Sequence, residues 1–324
     1  MKAAVLHTPG SPPSYGEHPP PAPASGHSVV RVKAAPVVPL DLLCASGTSY
    51  FGVPATPYVP GVQGVGVIES SETYDVGQRV WFSHSAGMQP GDGSLGELTL
   101  VPDADVVVLD PSATAEVPDA LVAALGLSGV AAWMALSWRA GLKDGERVLV
   151  LGGGGAVGQA GIGAARVLGA STVVAVARAS SVDRAGSAGA DVVVPLADDA
   201  DTLTAALSEH GPFDVVLDPV WGVAATAASR VLSEHGRLVN LGGSSGDEAS
   251  LSSSVLRSRT AAVLGYTNNA LTPAQRRDAV TALLGHAAAG RIRMAYDVHP
   301  LAEVEAAWTR IAAGESPQRC VLVP

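Results

Sequence analysis

The chain has little of what staples a protein or ties it to charged partners. Of its 324 residues only two are cysteine, Cys44 and Cys320. That is too few for a disulfide framework and fits a reducing compartment. Basic residues are outnumbered, 20 Lys and Arg against 30 Asp and Glu, for a formal charge of −10. A broad nucleic-acid footprint or attraction to an acidic membrane surface is therefore disfavoured. The eight histidines, His7, His18, His27, His84, His210, His235, His286 and His299, show no metal-seating spacing such as H-x-x-x-H. Residues 1–6 give only a short apolar run before Thr8, Pro9 and Gly10, too short for the core of a signal peptide. No later apolar stretch is expected to reach the roughly eighteen residues of a membrane span. No internal repeat is evident. The expectation is a cytoplasmic protein of about two domains, each able to bury its own core.

What the chain does have is glycine, and one run of it in a telling place. Residues 148–151 are Val-Leu-Val-Leu, the pattern of a strand buried on both faces of a parallel sheet. They lead into Gly152-Gly153-Gly154-Gly155-Ala156-Val157-Gly158, and a small-residue helix is expected over 159–168. Only one register satisfies the dinucleotide fingerprint G-x-G-x-x-G, with Gly153, Gly155 and Gly158. The first glycine permits the tight turn, the second lets backbone approach a pyrophosphate, and the third lets helix and strand pack closely. Ala156 and Val157 then offer free N–H groups to the anion. The alternative is a glycine-rich loop that binds nothing; the strand before and the helix after weigh against it.

The first third of the chain is expected to be β-rich. Residues 2–6 and 29–35 look like strands, joined by a stiff loop carrying Pro19, Pro20, Pro21 and Pro23. Short apolar runs at 64–69 and 79–82 are punctuated by Gly61, Gly64, Gly66 and Gly77, which favours a compact, partly barrel-like β domain. Residues 84–96 have loop composition, either a lid or a plain connection. From about residue 119 the pattern changes to a helix over 121–140, then strands at 172–177, 190–195, 213–217, 237–241 and 261–266 with helices between most of them. That alternation is the signature of a doubly wound parallel sheet. Helices over 272–290 and 301–313 and a strand over 320–323 end the chain.

Several segments carry a family resemblance. They are V-R-V-K-A-A at 30–35, Y-V-P-G-V-Q-G-V-G at 58–66, V-G-Q-R-V at 76–80 and A-G-L-K-D-G-E-R-V-L-V at 140–150. After the fingerprint come L-G-A at 168–170, G-A-D at 189–191, D-V-V-L-D-P-V at 214–220 and G-R-L-V at 236–239. Over nearly its whole length the chain resembles the zinc-free quinone oxidoreductase branch of the medium-chain dehydrogenases/reductases. The resemblance implies an α/β protein with two domains. A β-rich, partly barrel-like (GroES-like) catalytic domain would comprise residues 1–119 and 268–324, and a doubly wound parallel-sheet Rossmann domain residues 120–267. It also implies no metal. Zinc-dependent relatives place Cys near Val38 and Gly-His-Glu where this chain has Gly61-Val62-Gln63; neither valine can ligate, and Gln63 is a poor substitute for a carboxylate. The four-cysteine zinc lobe is missing as well, and Cys44 reads as a buried core thiol. Strand 261–266 would be a sheet edge, which in such relatives commonly pairs with its twofold mate, so a homodimer is expected.

Cofactor choice turns on the end of the second strand of the parallel sheet. An NAD site usually presents an acid there, whereas this chain offers Arg178, Ser180 and Ser181, suited to a phosphate dianion. NADPH is expected over NADH, although Asp183-Arg184 and Leu196 stand where NADPH-preferring relatives often carry Lys and Tyr. The alternative leaves Arg178 a solvated surface residue. Further cofactor contacts are expected from loops at the carboxyl ends of later strands, at Val220, Leu241, Gly242, Gly243, Tyr266 and Asn268. On the substrate side, Tyr50 resembles the family's pocket tyrosine and would donate a hydrogen bond to a carbonyl oxygen as charge develops. Equally, it reads as a rim aromatic packed with Phe51 and Tyr58. Val38, Ala45 and Ala131 replace the relatives' Asn, Arg and Thr, so a pocket of Val38, Tyr50 and Trp133 is expected to be greasy.

Three readings follow from this. One is an NADPH-dependent, metal-independent reductase of a quinone or an α,β-unsaturated carbonyl. Another is an enoyl-thioester or dedicated biosynthetic enone reductase, with Arg257, Arg259, Arg276 and Arg277 as candidates for a basic patch. The third is a non-catalytic NADPH-binding protein. Each takes a small-molecule partner and neither nucleic acid nor membrane.

Overall fold

Short apolar strands build the first of two units in the computed structural model, which describes residues 1–324. That unit comprises Met1–Leu127 and Ala295–Pro324; the second comprises Ser128–Met294. The chain opens with β1 (Lys2–Val5), β2 (Ser14–Glu17), β3 (His27–Pro36), α1 (Pro39–Ser46), β4 (Gln63–Ser70), β5 (Arg79–Ser83), β6 (Leu98–Pro102), β7 (Val106–Val108), α2 (Pro111–Thr114) and α3 (Asp119–Met134). After the second unit it returns with β14 (Tyr296–Pro300), α10 (Val304–Ala312) and β15 (Arg319–Val323). Seven strands pair in the order β14-β15-β3-β4-β5-β7, with β6 also on β3. Because β3 takes partners from three strands, the sheet curls; register shifts at Val29/Val30 and Val32/Ala34 mark where it bends. Inside lie Leu6, Ile68, Phe82, Leu95 and Trp308.

Residues 84–96 are tied at their end to residues 59–61. Backbone N–H groups of Gly93, Ser94 and Leu95 donate to the carbonyls of Val59, Gly61 and Pro60. Gly61, at φ 118°, allows this approach, since a Cβ there would lie 2.7 Å from the Ser94 nitrogen.

In the second unit helices alternate with strands: β8 (Arg147–Leu151), α4 (Ala156–Val167), β9 (Thr172–Ala177), α5 (Val182–Ser187), β10 (Val192–Pro195), α6 (Ala200–Ser208), β11 (Phe213–Asp218), α7 (Gly222–Ser229), β12 (Leu232–Asn240), α8 (Ser253–Ser258), β13 (Ala262–Gly265) and α9 (Pro273–Ala288). All six strands run parallel, in the order β10-β9-β8-β11-β12-β13. Strand order reverses between β8 and β11, and the crevice at such a switch point, outside the carboxyl ends of the strands, is where a ligand is expected. Val148 to Leu151 are fully buried, as a strand covered on both faces should be, each side chain contributing about 1.5–3 kcal/mol.

Two expectations need correction. The return to the first unit comes at 294/295 rather than 268, because α9 belongs to the second unit, where His286 stacks on Trp133 with ring centroids 5.5 Å apart. One segment, 119–139, is long and apolar enough by length and composition to cross a membrane, contrary to the reading that none would be. About two-thirds of it is buried inside the protein, and the helix is broken at Gly126, whose φ of 24° and ψ of −130° are not helical.

Candidate active site

The glycine run makes the turn from β8 into α4. Gly152 takes the left-handed conformation, φ 63°, and a Cβ there would lie 2.7 Å from Val220 Cγ1. Gly152 thus shares the turn with the three fingerprint glycines that follow it. At Gly153 a Cβ would press on Ala175, and at Gly158 it would meet the Gly152 carbonyl and lie 2.6 Å from Gly153 Cα. Strand, turn and helix thus close on one another as the fingerprint requires. Gly155 is the N-cap of α4 and supplies no side-chain cap. The helix therefore starts at Ala156 and Val157 with its positive end uncapped on the partly exposed side of the turn. Gln159, buried one turn on, fixes the loop by donating from Nε2 to the Gly154 carbonyl at 3.0 Å.

Beside this turn lies the end of β9. Arg178 and Ser180 are exposed there, and no carboxylate stands among residues 178–182. Ser181 packs over Gly154, where a Cβ would lie 2.5 Å from the serine Oγ. Arg184, which the sequence reading treated as a departure, reaches back so that Nε donates to the Gly154 carbonyl at 3.2 Å and a terminal nitrogen donates to the Ser180 carbonyl at 3.4 Å. The Arg184 guanidinium therefore sits against the glycine turn, and Arg178 stands exposed at the end of β9.

The loops after β11, β12 and β13 are gathered by Asp218. Its carboxylate, buried in the sheet, accepts from the N–H groups of Val220 at 3.0 Å and Trp221 at 2.8 Å and from Asn240 Nδ2 at 3.1 Å. Burial holds its pKa above the ordinary carboxylate value in spite of these bonds. Asn240 also donates to the Gly242 carbonyl, and Leu241 N–H donates to the Asp218 carbonyl. Gly242 is needed for this closeness, since a Cβ there would lie 2.8 Å from the Pro219 oxygen. Trp221 pays for the tight loop with a φ of 62° and ψ of −155°, a region that glycine favours. Val220, Leu241, Gly242 and Gly243 are thereby brought together. Tyr266 joins them through its N–H to the Asn240 carbonyl, and its hydroxyl donates to Asn268 Oδ1 at 2.7 Å. Trp133 is half-buried against His286, whose pKa burial and the nearby Arg291 lower.

In the first unit Val38 is buried as the N-cap of α1, while Tyr50 lies on the following turn, 82% exposed, with its ring 4.1 Å from that of Phe51. Tyr58 is buried elsewhere, beside Cys44 and Gly87, where burial raises its pKa. The rim cluster of three aromatics is thus a pair. Beneath Val38 is a group that sequence reasoning missed. Asp41, fully buried, accepts from the N–H groups of Val38 at 2.8 Å and Val62 at 2.9 Å, with half-buried Arg319 nearby. Burial pushes Asp41 up to about 7, against the pull of those N–H groups and of the Arg319 charge. Val38 and Val62, which stand where zinc-dependent relatives carry ligands, are held together by this carboxylate. No group of three or more His, Cys, Asp and Glu side chains is placed to hold a metal.

Two families match in order along the chain: the alcohol dehydrogenase GroES-like domain over residues 24–111 and the zinc-binding dehydrogenase family over residues 156–284. The chain is 33% identical to a quinone oxidoreductase of Pongo abelii over 157 residues, 46% of this chain and 44% of that protein. It is 30% identical to a phenolphthiocerol/phthiocerol polyketide synthase of Mycobacterium tuberculosis over 309 residues, 90% of this chain and 13% of the synthase polypeptide. The chain spans about half the length of the curated relatives it matches, or less. Among solved structures it resembles a probable oxidoreductase from Mycobacterium abscessus at 29% identity and a TM-score of 0.84, covering 100% of this chain and 99% of that one. With a curled GroES-like unit, a six-stranded Rossmann unit and these relatives, the chain belongs to the medium-chain dehydrogenase/reductase superfamily, of the quinone oxidoreductase type.

Proposed function

We propose that the protein is a metal-independent oxidoreductase that uses NADPH to reduce a quinone or an α,β-unsaturated carbonyl. One observation carries the reading: the carboxyl ends of β8 and β9 present an uncapped helix start on a glycine turn, no carboxylate among residues 178–182, and two arginines, Arg178 and Arg184. Ala156 and Val157 N–H groups would hold the pyrophosphate. Arg178, whose side chain has no partner, and Arg184, with Ser180 and Ser181, would hold the 2′-phosphate. Val220, Leu241, Gly242, Gly243, Tyr266 and Asn268, tied through Asp218 and Asn240, would set the nicotinamide end. The reduced nicotinamide supplies a hydride when bound. The chain's own part is then to position the acceptor and to provide a proton, drawn from solvent or from a hydroxyl such as that of Tyr50. Val38 and Tyr50 of the first unit, and separately Trp133 of the second, are proposed as acceptor contacts. The reading takes a cytoplasmic homodimer joined along β13, with a small molecule as its other partner and no nucleic acid or membrane.

A second reading, an enoyl-thioester or dedicated enone reductase, is favoured by the polyketide synthase similarity, which runs along nine-tenths of the chain. Absorbance decay of NADPH with 9,10-phenanthrenequinone and with a 2-alkenal tests the first reading. Turnover of either supports it. Turnover only with an enoyl thioester supports the second, and cofactor binding without any turnover would leave a non-catalytic protein.

A further inference from the structure

The buried amide of Gln63 divides its two ends unequally. Gln63 opens β4 and is fully buried. Its Oε1 accepts the N–H of Leu127 at 2.6 Å, at the point where α3 breaks. The break makes room for the amide: a Cβ on Gly126 would fall on Oε1 and lie 2.7 Å from Cδ. Orientation of the amide follows from that bond, because a flip would turn Nε2 onto the Leu127 N–H, donor against donor. Nε2 is then left buried with two N–H donors and no partner.

A buried amide donor without a partner is costly, and native proteins seldom keep one idle. Its surroundings suggest what it serves. The preceding residue, Val62, is tied by Asp41 to Val38, a proposed acceptor contact. The main-chain carbonyl of Gln63 accepts from Ser94 Oγ at 2.5 Å, so the residue is fixed at its backbone as well as at its oxygen. Nε2 is thus a rigid donor still unspent.

We propose that Gln63 Nε2 donates a hydrogen bond to a carbonyl oxygen of the bound acceptor, and so makes Gln63 an acceptor-binding residue of the reductase proposed above. The inference rests on that reading for the class of ligand. It further specifies the ligand: the acceptor presents an oxygen to the first unit, and an apolar analogue of the same shape binds less well.

The test is equilibrium binding, which needs no turnover. Protein loaded with NADP⁺ is titrated with 9,10-phenanthrenequinone and with phenanthrene, which has the same ring system without the oxygens, and tryptophan fluorescence is followed. Wild type is expected to prefer the quinone by about tenfold or more. Gln63→Met, close in volume, is expected to bring that preference to near unity while leaving NADPH affinity unchanged. A merely structural role would weaken both ligands alike. If Gln63→Met does not fold, Gln63→Glu keeps an oxygen for Leu127 N–H and removes the amide donor; the same loss of preference is expected at pH 8. The proposal is overturned if the folded variant keeps the wild-type preference, or if wild type shows none. Failure here with quinone or enone turnover intact leaves the proposed function standing, whereas absent NADPH binding removes that function independently of Gln63.

Discussion

Replacing Gly158 by alanine probes the packing on which the cofactor site depends. The new methyl group would lie 2.6 Å from Gly153 Cα and against the Gly152 carbonyl. Both are backbone atoms of a turn already held by Val220 and Ala175, so relief requires α4 to move off β8 by about an ångström. Overpacking of this kind costs about 1–3 kcal/mol. For a unit of this size that is a fall in Tm of roughly 2–12 °C. Moving α4 would also withdraw the N–H groups of Ala156 and Val157 from the proposed pyrophosphate site. Losing one charge-assisted bond, at about 1.5–3 kcal/mol, weakens binding roughly ten- to hundredfold. The pyrophosphate is common to both dinucleotides, so NADPH and NADH should lose affinity alike. Differential scanning fluorimetry and fluorescence titration of both dinucleotides measure the two effects. Gly186→Ala is the control: nothing lies within 4 Å of its Cβ, on exposed α5, so stability should hold or rise and binding should not change. A Gly158→Ala protein with wild-type Tm and wild-type affinity would refute the reasoning.

Other expectations follow from single groups. Arg178→Ala should raise the Michaelis constant for NADPH about five- to thirtyfold, with NADH nearly unchanged; an equal effect on both would remove Arg178 from cofactor selection. Half-buried His84 accepts the Ala86 N–H at Nδ1 and donates from Nε2 to the Leu100 carbonyl, and desolvation lowers its pKa from the ordinary histidine value. The unfolded chain therefore binds the proton more readily, so stability is lost as pH falls from about 6.5. His84→Gln should flatten urea-unfolding free energy over that window, and an unchanged slope would exclude His84 as its source. Strand β13 is the exposed edge of the parallel sheet, and wild type should sediment as a dimer at micromolar concentration, with Val263→Lys shifting it to monomer. A wild-type monomer would rule out that pairing.

Most of the second unit was legible because its signals are local. Val148 to Leu151 announce a buried strand and the glycines announce the turn, so β8, the turn and α4 could be placed within a few residues. The first unit was less legible, since β2, β6, β7 and β14 are three to five residues long and exist through partners far along the chain, as β6 does through β3, with His27 paired to Pro102. Helix α1 was missed although its signals were present: Pro39 at its start, Asp41 two residues on bonded to Val38 N–H, and Gly47 at its end with φ 75°. At the proposed site, the sequence pointed to Arg178 but not to what Arg184 touches, because its contact with the Gly154 carbonyl spans thirty residues. Gln63 was read only as a lost metal ligand. Its partner, Leu127, is 64 residues away, and no local pattern connects the two.

The central claim, that the glycine turn with its two arginines is an NADPH site, is tested most directly by titrating the pure protein with NADPH and with NADH and following dinucleotide fluorescence. Tighter binding of NADPH, by about tenfold or more, is expected from a 2′-phosphate met by Arg178 and Arg184 with no carboxylate among residues 178–182. Equal or tighter binding of NADH, or binding of neither, would contradict it.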